Sequence, residues 1–121
     1  MPKVLVLSPS GLVLFRVKKE LKTRGFDVVD SDGSDAFPNR IVRAERPDVI
    51  LVDASANSTT GERLVKCLKE DPTTASTPVL FFSDDTPESR SQVLSSGADG
   101  VVPRKDDFDA LAETLSLHLK R

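Results

Sequence analysis

Short apolar runs recur along this chain, and helix-period segments fill the intervals between them. The runs are Val4-Leu5-Val6-Leu7, Val49-Ile50-Leu51-Val52 and Val79-Leu80-Phe81-Phe82, with weaker versions at Phe26, Val28, Val29 and at Val101-Val102. An unbroken apolar run of this length, bounded by polar residues, reads as a strand covered on both faces. Between the runs, Leu14, Val17 and Leu21 repeat at helical spacing, and Gly25 falls where a helix commonly ends. Ile41 and Val42 mark a short helix from Pro38 to Glu45, stopped by Pro47-Asp48. Leu64, Val65 and Leu68 mark a third helix ending near Asp71-Pro72. Thr86-Pro87-Glu88 reads as a cap, first-turn proline and first-turn acid, opening a fourth helix through Val93 and Leu94 to Gly97. Asp106 or Asp107 caps a last helix whose stripe is Phe108, Leu111, Ala112, Leu115 and Leu119. Crossovers of this length are too long for hairpins. They imply an α/β protein with a parallel sheet, helices on both faces and right-handed connections.

Composition narrows the function classes. A chain of 121 residues is expected to form a single domain spanning residues 1–121, whether free or part of a longer chain. The basic Lys120-Arg121 end would suit the start of a linker to an output domain. The apolar runs are far too short for a membrane span, and Ser8-Pro9-Ser10-Gly11 interrupts the only one near the N-terminus, so neither span nor signal peptide is expected. A formal net charge of −2 argues against a dedicated nucleic-acid binder. Cys67 is the only cysteine, which excludes an internal disulfide and suits the reducing cytoplasm. With His118 the only histidine, a Cys/His metal site is excluded too. Cys67 reads as a small packing residue and His118 as a surface residue.

In an open α/β sheet, ligands bind beyond the carboxyl ends of the strands. Ser8-Pro9, Asp53, Ser83 and Pro103-Arg104-Lys105 follow the first, third, fourth and fifth runs. A carboxylate, a hydroxyl and a cation would converge on one rim. Such a trio can hold a phosphoryl group, the carboxylate as nucleophile and the others on its equatorial oxygens. Taken singly, each residue could equally cap a loop or sit in solvent.

The sequence resembles the receiver domains of two-component response regulators. The likeness is carried by Pro47-Asp48-Val49-Ile50-Leu51-Val52-Asp53, Gly61, Pro78-Val79-Leu80-Phe81-Phe82-Ser83 and Gly97-Ala98-Asp99-Gly100, in order and spacing over nearly the whole chain. The resemblance implies a flavodoxin-like three-layer sandwich with a five-stranded sheet of order 2-1-3-4-5. It places Asp53 at the phospho-acceptor position, Ser83 at the hydroxyl position, and Arg104, or Lys105 after a local shift, at the lysine position. It implies a non-enzymatic signalling role with protein partners: a histidine kinase, a downstream signalling protein or an output domain in cis.

The departures from that pattern point away from phosphoryl chemistry. Receivers carry a pair of acids after the first strand, and here the positions hold Ser8 and Pro9. Magnesium prefers carboxylate oxygens, and of the usual set only Asp53 and the Ser55 carbonyl remain. Asp84 or Asp85 could replace the missing acids only by swinging in from another loop. Arg104 is a permanently charged fork able to clamp the Asp53 carboxylate. The negative charge of Asp84 would repel phosphate. Val101 stands where an aromatic usually reports phosphorylation, and the chain has no Tyr.

The leading expectation is therefore a degenerate receiver acting as a protein-interaction module, with no cofactor. One alternative is a working receiver phosphorylated on Asp53 with weak magnesium binding. Another class is a small-anion or flavin binder using Ser8-Pro9-Ser10-Gly11 at a helix N-terminus. Lys18, Lys19, Lys22, Arg24, Arg40, Arg43 and Arg46 form either a basic flank for an acidic partner or solvated helix faces. In the family the penultimate helix, the fifth strand and the last helix often carry output or homodimer contacts. Here that face would include Arg90, Val101, Lys105 and some of Asp106 to Asp109.

Overall fold

The computed structural model describes residues 2–8, 11–31, 39–53, 58–83, 91, 97–103 and 108–119. The elements run β1 (Lys3–Leu7), α1 (Gly11–Thr23), β2 (Asp27–Ser31), α2 (Asn39–Glu45), β3 (Val49–Asp53), α3 (Ser58–Glu70), β4 (Val79–Ser83), β5 (Gly100–Pro103) and α4 (Phe108–Leu119). The helix expected from Thr86 lies almost wholly outside the described residues, as do Pro38, Asp106 and Asp107.

The strands form one five-stranded sheet of order β2-β1-β3-β4-β5. Every pairing is parallel, with Leu5 opposite Val29 and Ile50, and Leu51 opposite Leu80. Alternation along each strand divides the apolar runs between two cores. Val4, Val6, Val49, Leu51, Leu80 and Phe82 pack with Val17 and Leu21 of α1 and Leu111 and Leu115 of α4. Leu5, Leu7, Ile50, Val52, Val79 and Phe81 pack with Val42 of α2 and Val65 and Leu68 of α3. That is why these runs are apolar without interruption: neither face of the central strands meets water.

The fifth strand includes Pro103, which pairs in register with Ser83, whereas the sequence suggested that the strand would stop at Val102. Proline lacks an N–H, and β5 has a neighbour on one side only, so an edge strand can take it.

Helix ends are closed by backbone geometry. Phe26 N–H donates to the Leu21 carbonyl at 3.1 Å and Gly25 N–H to the Lys22 carbonyl at 3.2 Å. With Gly25 at φ 87° and Phe26 buried on Leu21, this is a Schellman ending. Arg46 ends α2 in the same left-handed region, at φ 50°, and its N–H donates to the Val42 carbonyl at 2.8 Å.

At the N-terminal ends of the strands, two aspartates repeat one device. Asp48 N–H donates to the Lys3 carbonyl and the Asp48 carboxylate accepts the Lys3 N–H, both at 2.8 Å. Asp99 does the same with Val79, again at 2.8 Å each way. Each acid closes the first rung between adjacent parallel strands, where a backbone group would otherwise be left over. Lys69 from α3 joins the second pair, reaching the Asp99 carboxylate at 2.7 Å and the carbonyls of Ala75 and Thr77 at 3.1 and 3.0 Å. The Thr74 side chain, fully buried in the same turn, donates to the Leu68 carbonyl at 2.6 Å.

Candidate functional site

The strand register assembles the opposite, C-terminal rim. Leu7 pairs with Val52, so Ser8 and Asp53 are the next residues of neighbouring strands. Asp53 pairs with Phe82, so Ser83 follows directly on the other side. Asp53 is the last residue of β3 and Ser83 the last of β4. The backbone thus brings Ser8, Asp53 and Ser83 to three adjacent strand ends, on central strands whose apolar bodies fix their position. Val101 lies inside β5, in register with Phe81. Pro9, Ser55, Asp84, Asp85, Arg90, Arg104, Lys105, Asp106 and Asp107 lie outside the described residues.

Ser8 is buried, with 1 % of its surface exposed, and its N–H donates to the Ser31 carbonyl at 3.0 Å. That bond continues the β1–β2 ladder one step past the strand. A neutral hydroxyl can be buried in this way at modest cost once hydrogen-bonded. Among the described residues no buried side-chain nitrogen or oxygen lacks a partner. The position offers a divalent cation a shielded neutral oxygen instead of a carboxylate.

Beyond the rim, much of the basic flank is engaged within the molecule. Lys18 pairs with Asp30 at 3.5 Å and Arg43 with Asp71 at 2.9 Å. Arg24 bridges α1 and α4, holding Glu20 at 2.8 Å and Asp109 at 2.9 Å. Hydrogen bonds to Glu20, then to Asp109, push the Arg24 guanidinium still further up from its usual range. Arg16 stands 5.6 Å over the Phe108 ring. His118 is half-buried rather than on the surface: a side-chain carbon at Gly100 would meet its Nε2 at 3.4 Å and Leu80 Cδ2 at 3.2 Å. Cys67 is half-buried on α3, as a packing residue would be. Sequence reasoning missed the roles of Asp99 and Lys69. The signal was present in Gly97-Ala98-Asp99-Gly100, an acid placed just before a strand.

The five-stranded parallel sheet of order β2-β1-β3-β4-β5 is one that known proteins share. The model of the response regulator receiver domain matches residues 4–116. The chain belongs to the response regulator receiver domain family of two-component signalling. A search of curated protein sequences finds no significant match. Among solved structures, the Vibrio cholerae chemotaxis protein CheY4 is 28% identical, with 98% of this chain and 99% of that chain covered and a TM-score of 0.84. The receiver domain of the Francisella response regulator 1452 is 27% identical, with 100% and 98% covered and a TM-score of 0.84. The BeF3-activated receiver domain of Klebsiella pneumoniae RstA, at 21% identity, 98% and 99% coverage and a TM-score of 0.84, shares the fold. No helix among the described residues is long and apolar enough to cross a membrane.

Proposed function

We propose that this receiver is degenerate: it keeps the signalling fold, does not run the metal-dependent phosphoryl chemistry, and acts by protein contact. The observation that carries this reading is the buried Ser8, 1 % exposed, at the first position of the usual acid pair. Magnesium demands near-octahedral oxygen ligands and favours carboxylates. Ser8 supplies a shielded neutral oxygen and the adjacent Pro9 no side-chain ligand, so these residues do not fit the ion. No cofactor is expected, and no reaction step is assigned to a metal. Arg104 or Lys105 would hold the Asp53 carboxylate as a structural cation, and Val101 removes the aromatic reporter. The domain would work in the cytoplasm, on a histidine kinase, a downstream signalling protein or an output domain in cis.

The second reading keeps Asp53 as a live acceptor with Ser83 beside it, and the register supports it by setting the two on adjacent strand ends. Incubation with acetyl phosphate and magnesium, followed by intact-mass measurement, separates the two. The degenerate reading expects no phosphoryl adduct. An adduct present in the parent and absent in Asp53→Ala establishes the live acceptor instead.

A further inference from the structure

Arginines stand exposed along α2 and just past its end, at Arg40, Arg43 and Arg46, each three residues after the last. Ile41 and Val42 turn toward the sheet and pack with Val65 and Leu68, so the arginines and Ala44 form the outward side. Glu45 is the one acid of α2, and Lys3 draws it away at 3.5 Å. Arg43 is 49% exposed yet already held: its Nη1 donates to the Asp71 carboxylate at 2.9 Å and to the Thr73 hydroxyl at 3.4 Å. That grip ties α2 to the turn after α3 and fixes where Arg43 stands. Arg46 carries the argument further. Its backbone is left-handed at φ 50°, a conformation that strains any residue with a side chain and that glycine adopts freely. Its N–H ends α2 on the Val42 carbonyl, a bond that glycine would make equally well. The exposed guanidinium adds no ion pair or hydrogen bond to the fold among the described residues. A side chain therefore sits in a strained place where the fold itself has no use for it.

From this row we infer that the arginine ridge of α2 docks a carboxylate-rich segment of a partner protein, with Arg46 as its end contact. The inference rests on the reading of the domain as an interaction module and names its partner chemistry. A guanidinium is a planar fork that matches a carboxylate. Arg43 shows the match inside the molecule, on Asp71. Arg40, a turn earlier, and Arg46, a turn later, extend the row, so it meets carboxylates spaced about 5 Å apart on the partner. Charge complementarity selects the occupant. A nucleic-acid backbone fits less well, because its affinity grows with the number of phosphates neutralised. A short arginine row with Asp71 against its middle, on a chain of net charge −2, neutralises few. An anionic membrane fits less well too, since Ala44 is the one exposed apolar residue described on the ridge.

The test is a 15N amide-shift titration of the full chain with two synthetic peptides on one alanine frame, one bearing glutamates at every third or fourth position and the other lysines. The glutamate peptide is expected to shift the amides of Arg40, Arg43, Ala44 and Arg46 and to bind there at least about tenfold tighter than the lysine peptide. Arg46→Gly is the decisive variant. It should hold or raise the melting temperature while weakening the glutamate peptide by about threefold, so lost binding cannot be laid to lost folding. Adding Arg40→Gln should bring the loss to about tenfold, and Arg40→Glu with Arg46→Glu should invert the preference. Equal binding of the two peptides, no shift on α2 at millimolar peptide, or undiminished binding by Arg46→Gly overturns the inference. So does tighter binding at the same amides by a short DNA duplex or by vesicles of equal parts phosphatidylcholine and phosphatidylserine, or a dimer in sedimentation that Arg46→Gly dissolves. Binding of the glutamate peptide at another face overturns this docking site yet leaves the interaction module standing, whereas an Asp53 phosphoryl adduct strikes that module reading alone.

Discussion

Burial of Ser8 sets the energetics of the whole rim. A carboxylate at a position with 1 % exposure would have to surrender its hydration, and without an ion or cation in contact that is costly. Ser8→Asp is therefore expected to lower stability by about 2 kcal/mol or more near neutral pH in the absence of divalent metal. The sign with pH follows from linkage. Burial raises the carboxyl above its unfolded value of about 3.9, so the folded variant resists ionisation and its deficit grows as pH rises. Below about pH 4 the variant and the parent should coincide. Paired urea denaturations across that range check this, and a deficit independent of pH would point to steric cost alone. The identity of Ser8 was plain in the sequence. Its burial was not, because that depends on where β2 and β3 run beside it.

At the scale of elements, the helix endings carry opposite lessons. Gly25 is left-handed at φ 87° with open space where a side chain would sit. Gly25→Ala should cost about 1 kcal/mol, all of it backbone conformation. Arg46 holds the same kind of position at φ 50° with a side chain attached. Arg46→Gly should stabilise by about 0.5 kcal/mol, the relief of strain outweighing the freer unfolded chain. Thermal melts of the two variants should move in opposite directions. Gly25 was legible because glycine after a helical stripe announces its own ending. Nothing in Arg46 announced one, since the proline after it suggested a stop without saying which residue would turn. The stripe of α4 was legible for the same reason as Gly25: Leu111 and Leu115 recur at the helical period and are buried as that period requires. On α1 the period identified the inward residues. The outward pair, Leu12 and Phe15, became visible only in the structure, where they are 69% and 65% exposed.

The whole molecule is two cores divided by one sheet. Val17 belongs to the core on the α1 and α4 side, and Val65 to the core on the α2 and α3 side. Each Val→Ala substitution should cost about 2 kcal/mol. Together their costs should sum to within about 0.5 kcal/mol, because no side chain is shared across the sheet. A large departure from the sum in urea denaturation would mean the sheet transmits strain between its faces. Sheet order and layering could be anticipated because the apolar runs and crossover lengths leave little choice. The rim was only partly legible, since strand ends follow from the runs while the approach of side chains from loops does not. The two strand-opening aspartates show what else follows. Asp48 and Asp99 sit at the far end of the strands from Asp53, yet they belong to the same stretches that reveal the ancestry of this chain. They hold the scaffold together whether or not Asp53 accepts phosphate. Kinship, for this family, is a record of architecture, and a descendant can retire from the trade while keeping the house.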